Sequence, residues 1–76
     1  MLCNKIKLDL KQGANPSLIN KMIMSLSAMD DHLFKSYSYR NKKLYLTLGY
    51  HSEKCKEIKQ ALMDIYNKHY TTKILN

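Results

Sequence analysis

Tryptophan is absent, phenylalanine and proline occur once each, and the 76 residues include only two glycines, two cysteines and six acidic side chains. Each shortage closes off a class of protein. Gly13 and Gly49 alone cannot build the glycine-rich loop that cradles a phosphate. Cys3 and Cys55 form no Cys-x-x-Cys pair, and His51, Cys55 and His69 together offer at most three of the four ligands that zinc requires. Nucleophilic catalysis needs Cys or Ser beside a base that a third group orients, and no motif supplies that set. Adjacent carboxylates occur only as Asp30-Asp31, which reads as the polar end of a helix. The expectation is a non-enzymatic protein without metal or cofactor.

Long hydrophobic runs are missing too. No stretch of 18 apolar residues exists, so no segment reads as membrane-spanning. The opening Met1-Leu2-Cys3-Asn4-Lys5 lacks the apolar core of a secretory signal, which makes the cytoplasm the expected compartment and free thiols the expected state of both cysteines.

What is present suits one folded domain spanning residues 1–76: 45% apolar and 25% charged residues, proportions ordinary for a globular chain. Its most unusual feature is a net charge of +7, with thirteen basic residues against six acidic ones. From Lys35 onward there are nine basic residues and three acidic ones, Glu53, Glu57 and Asp64. Such a balance suits phosphate contacts. It also suits a solvated basic surface, because twelve of the thirteen are Lys and the Asn, Ile and Tyr content is that of an AT-rich genome.

Two periodicities divide the chain. Lys5 to Lys11 alternates strictly, with Ile6, Leu8 and Leu10 inward and Lys5, Lys7, Asp9 and Lys11 outward, as a strand with one buried face requires. Gln12-Gly13-Ala14 breaks the pattern. Asn15-Pro16 then starts a helix, because Asn caps a free N–H and Pro at the first helical position has a preset φ. Its apolar stripe is Leu18, Ile19, Met22, Ile23, Leu26, Met29 and Leu33, and its expected end lies near Asp31 or His32. The methionines of this helix and Met63 read as core filler, with Met24 and Met63 partly exposed. Phe34 to Arg40 alternates again as a second strand, Asn41-Lys42 makes a turn, and Lys43 to Leu48 forms a third, central strand with Leu44, Leu46 and Leu48 inward. After Gly49 the period lengthens. Ser52 caps a helix over Glu53 to Tyr70 whose inner stripe is Cys55, Ile58, Leu62, Ile65 and His69. Residues 71–76 are expected to trail off or to add a short fourth strand.

The resulting expectation is an α+β fold in the order β-α-β-β-α, with a three-stranded sheet and both helices on one of its faces. The other face is left open. Lys5, Lys7, Lys11, Lys43 and Tyr45 are the candidate nucleic-acid contacts there, with Tyr45 as a stacking surface. Tyr37 and Tyr39 join them only if the second strand has the right parity, which alternation alone leaves undecided. The same face offers a route to a homodimer, the alternative being a monomer.

From Leu44 to Asn67 the chain resembles the DinI family of DNA-damage-inducible proteins. The resemblance is carried by Gly49 at a strand end, Glu53 in a charged first helical turn, Ile58 and Leu62 four apart, and the step from Asp64 to Tyr66. The opening Lys5-Ile6-Lys7-Leu8-Asp9-Leu10 before a Pro-started helix is similar to the family's first half. The resemblance implies a β-α-β-β-α domain that binds a RecA-type recombinase filament and modulates the SOS response, including RecA-stimulated self-cleavage of LexA-type repressors and UmuD. In the family an acidic row on the second helix and the tail after it contacts RecA. The corresponding surface here is Glu53, Glu57, Gln60, Asp64 and Asn67, and the family's acidic tail is replaced by Lys68, His69, Thr71 and Lys73.

Overall fold

The computed structural model describes residues 4–28, 32–50 and 52–75. Strand β1 (Lys5–Asp9), helix α1 (Pro16–Ser27), strands β2 (Phe34–Arg40) and β3 (Lys43–Leu48), a single 3-10 turn (Ser52–Lys54) and helix α2 (Cys55–Leu75) follow one another. The strands form one antiparallel sheet in the order β1-β3-β2, so the last strand lies in the middle. This is the α+β arrangement that the two periodicities predict. The helices cover one side of the sheet.

The core is the meeting of those periodicities. Ile6 and Leu8 from β1 and Leu44, Leu46 and Leu48 from β3 are buried together with Leu18, Ile19, Met22 and Ile23 of α1 and Ile58, Leu62 and Tyr66 of α2. Each such aliphatic side chain contributes roughly 1.5 to 3 kcal/mol before chain entropy is subtracted. Of the two methionines expected to be partly exposed, Met24 is exposed and Met63 is half-buried.

Several element ends differ from the sequence reading, each for a local reason. Strand β1 stops at Asp9 rather than Lys11, although Leu10 stays fully buried and its N–H donates to the Lys42 carbonyl at 2.8 Å. The chain then turns sharply: Gly13 adopts φ +80°, which a residue with a Cβ rarely tolerates, and its N–H donates to the Leu10 carbonyl at 2.7 Å. Asn15 caps α1 as expected, its Oδ1 accepting from the Leu18 N–H at 2.8 Å. Helix α1 ends at Ser27, earlier than Asp31 or His32. Leu33 has the i+3/i+4 spacing of a helical residue but is buried from a non-helical segment, and its carbonyl accepts from the Gly49 N–H at 2.9 Å. Met29, Asp30, Asp31 and His51 lie outside the described residues.

Strand β2 carries an irregularity: Phe34 pairs with Leu48 but Ser36 with Thr47, leaving Lys35 as the extra residue of a bulge. Asn41 and Lys42 have φ of 52° and 61°, the left-handed pair of a two-residue hairpin turn. At the far end of β3, Gly49 runs against the backbone of the opposite segment, where an added Cβ would collide with the His32 carbonyl oxygen. Helix α2 enters through the 3-10 turn rather than directly from Ser52. Residues 71–75 extend α2 rather than forming a fourth strand. Propagating an existing helix needs no new nucleus, and a strand would need a reversal just after Tyr70, whose hydroxyl is bonded to the Gly13 carbonyl at 2.6 Å.

Candidate interaction surfaces

Directly paired residues on neighbouring strands share a face, so the register reads out the open side of the sheet row by row. One row is Lys5–Thr47–Ser36, the next Lys7–Tyr45–Ser38, the third Asp9–Lys43–Arg40. Four cations, Lys5, Lys7, Lys43 and Arg40, thus surround a central tyrosine, with Asp9 as the one carboxylate in these rows. Two serines and a threonine add hydroxyls that donate or accept. The Arg40 guanidinium carbon sits 5.0 Å from the centroid of the Tyr45 ring, within the range of a cation–π contact. Beside it is a shallow cavity of about 370 Å³, walled by Lys5, Lys7, Ser36, Ser38, Arg40 and Tyr45 among others.

Lys5, Lys7, Lys43 and Tyr45 are therefore brought together as expected, but Lys11 is not. It lies beyond the end of β1, at a second cavity of about 310 Å³ with Gln12, Met63, Tyr66 and Asn67. The parity of β2 is settled by the hairpin. Tyr37 and Tyr39 oppose Leu46 and Leu44, on the helix-facing side, so Tyr45 is the single aromatic of these three rows, although Tyr37 also borders the cavity beside it. Tyr39 is half-buried and its hydroxyl accepts from the Ala14 N–H at 2.9 Å, while Tyr37, on the sheet's edge strand, is 53% exposed. Arg40, Ser36 and Ser38 are the members of this surface that the sequence reading missed. A signal for them existed. A two-residue turn at Asn41-Lys42 makes Arg40 the partner of Lys43, and counting back from that pair places Ser38 and Ser36 outward.

Comparison with protein-family models, with curated proteins and with solved structures yields no match.

The second candidate surface lies on α2, and its member Asn67 shares the second cavity with Asp9 of the open-face rows. Glu57, Gln60, Asp64 and Asn67 recur at three- and four-residue spacing, all are exposed, and exposed Glu53 precedes them in the 3-10 turn. Gln60 Nε2 donates to Asp64 Oδ1 at 2.8 Å along the stripe. Exposed Lys56 and Lys68 border it on either side, so its acidic character is narrow.

Among the described residues no group of three or more His, Cys, Asp or Glu is placed to hold a metal. No described helix is long and apolar enough to cross a membrane. Cys55 corrects the free-thiol expectation: it is disulfide-bonded, and the one other cysteine of the sequence is Cys3, outside the described residues. An expected compartment does not by itself fix the oxidation state of a cysteine.

Three tyrosine hydroxyls hold the β1–α1 loop between the two surfaces. Besides Tyr39 on Ala14, the Tyr66 hydroxyl accepts from the Gln12 N–H at 2.7 Å, and that of Tyr70 donates to the Gly13 carbonyl. The rings of Tyr66 and Tyr70 meet edge to face, their centroids 5.0 Å apart. Burial pushes the Tyr66 hydroxyl above its ordinary pKa of 10.0; the Gln12 N–H opposes this, and Tyr70, Tyr39 and Asp9 reinforce it.

Proposed function

We propose that this chain is a non-enzymatic binding module whose working surface is the open face of its sheet, and that the ligand is the phosphate backbone of nucleic acid. The observation that carries this reading is the convergence of Lys5, Lys7, Lys43 and Arg40 from three strands around Tyr45. Cations so arranged displace the counterions condensed on a polyanion, and the gain is lost as salt rises. With three to four phosphates engaged, a log–log plot of affinity against salt should have a slope of about −2 to −3 on single strands. Lys7→Glu with Lys43→Glu should flatten it. A slope near zero for the unaltered protein ends this reading.

A second reading follows the resemblance to DinI and uses the other surface. Its support is that Glu53, Glu57, Gln60, Asp64 and Asn67 form one exposed stripe. In this reading the stripe docks on a RecA-type filament or a related DNA-transaction protein and modulates the SOS response. Charge weighs against a partner site shaped for phosphate, because Lys56 and Lys68 flank the stripe and like charges brought together across an interface cost several kcal/mol. The test is co-sedimentation with RecA filaments, together with the rate of LexA or UmuD self-cleavage. Absence of both effects removes it.

Both readings put the protein in the cytoplasm, where thiol reductants keep disulfides open except under oxidation. The buried cluster of both helices and the sheet is built without Cys55, which is only half-buried at its margin. Reduction should therefore lower stability but leave the fold and the open face in place below the reduced midpoint.

A further inference from the structure

The centre of the open face is not a bare ring. Tyr45 lies on the middle strand, between Lys7 across one seam and Ser38 across the other. Arg40, opposite Lys43 and one pleat further along β2, reaches diagonally back so that its guanidinium sits over the ring. A guanidinium in that place has two uses. Its edge carries donors that match a phosphate, and its plane is a surface on which an unpaired base stacks. The ring beneath restrains it, so less side-chain freedom is lost when a ligand arrives.

From this arrangement we infer that the open face selects single-stranded over duplex nucleic acid, by seating one unpaired base on the Tyr45–Arg40 pair while Lys7 and Lys5 hold the neighbouring phosphates. This rests on the nucleic-acid reading above and adds a base contact to it. A duplex keeps its base faces inside its own stack, so it offers the same phosphates but nothing to lie against the pair. The cavity of about 370 Å³ next to the pair lies within the range of roughly 300 to 1,000 Å³ that small-ligand sites occupy. Hydroxyls of Ser36 and Ser38 line it and can meet a base edge or sugar without demanding one sequence. The preference is accordingly for strandedness and not for a sequence.

The test is fluorescence anisotropy of the full chain with three labelled ligands of equal length: an oligothymidine, its abasic counterpart with the same sugar-phosphate backbone, and a duplex. The base-bearing strand should bind about tenfold more tightly than the abasic one, the scale of one base–side chain stack. Arg40→Lys keeps the charge but removes the plane, and Tyr45→Leu removes the ring. In each variant the gap between oligothymidine and abasic affinity should close to less than about twofold, whatever the shift in abasic affinity itself. Tyr45→Phe keeps the ring and should keep the preference. Arg40 is exposed, so Arg40→Lys reads out the contact without risk to folding. Equal affinity for base-bearing and abasic strands, with a normal salt slope, overturns the base seat and leaves the phosphate reading standing. Failure of every ligand to bind removes both.

Discussion

At the scale of single residues, the tyrosines divide structural from recognition roles. Tyr45 faces outward among cations, whereas Tyr39, Tyr66 and Tyr70 spend their hydroxyls on the backbone of residues 12–14. That loop has polar groups no sheet or helix satisfies, and a buried N–H without a partner is destabilising by about 1 to 3 kcal/mol. Tyr66 is the most committed of the three, being 4% exposed with a hydroxyl whose pKa is raised above 10.0, chiefly by burial. The sign of its pH effect follows. Below pH 10 the hydroxyl is neutral in both folded and unfolded chains, and its stabilising contribution is complete. Above pH 10 the unfolded chain releases the proton first, so the folded state loses stability as pH rises through the folded pKa. Tyr66→Phe should therefore lower stability at neutral pH by about 1 to 3 kcal/mol, through the orphaned Gln12 N–H. It should also make the fall above pH 10 shallower. Urea midpoints for both proteins at pH 7 and across pH 9 to 11 check both effects.

At the scale of elements, the hairpin between β2 and β3 decides which side chains meet a ligand, and its turn uses an unusual residue. Lys42 holds φ 61° where glycine is the common choice after Asn. A left-handed conformation costs a side-chain-bearing residue roughly 1 to 2 kcal/mol, while glycine gives back part of that through a freer unfolded chain. Lys42→Gly should raise stability by several tenths of a kcal/mol to about 1 kcal/mol, and it leaves the Lys42 carbonyl to accept from Leu10 as before. A small rise in the thermal midpoint would show it; a fall would mean that the Lys42 side chain contributes more than its backbone strain removes. The same hairpin explains what the sequence made legible. Strands β1 and β3 were readable because Ile6, Leu8, Leu44, Leu46 and Leu48 alternate without interruption. Strand β2 was readable in extent but not in parity, because the bulge at Lys35 reverses parity between Phe34 and Ser36, and alternation cannot show which face a run of Ser and Tyr presents. Helix α1 read too long because Leu33 is buried at a helical spacing without being helical. Helix α2 read too short because the apolar period fades after His69, while an established helix propagates through residues 71–75 without needing it; Tyr66 was missed from its inner stripe because its hydroxyl bond to Gln12 has no periodicity. Lys5, Lys7, Lys43 and Tyr45 could be placed before the structure, while Arg40 needed the turn.

At the scale of the whole molecule, stability has two sources that respond to different conditions. One is the core shared by the sheet and both helices, which in a chain of 76 residues hides only about 60% of the unfolded surface and leaves a small margin. The other is the disulfide at Cys55. Cys55 opens α2. A disulfide at Cys55 constrains the unfolded chain, and such a constraint stabilises by roughly 2 to 4 kcal/mol. For a domain of this size that corresponds to about 10 to 25 °C in the thermal midpoint. Reductant should lower the melting temperature by that order, and Cys55→Ser should melt at the reduced temperature with or without reductant. Iodoacetamide should modify Cys55 only after reduction. The open face sets a second expectation, because Lys7, Tyr45 and Arg40 are held by strand pairing and not by the sulfur bridge. Reduced protein, kept below its lower midpoint, should bind oligothymidine as tightly as oxidised protein. Equal melting in both states would show that the disulfide contributes nothing, and unequal binding would show that the bridge reaches the face after all.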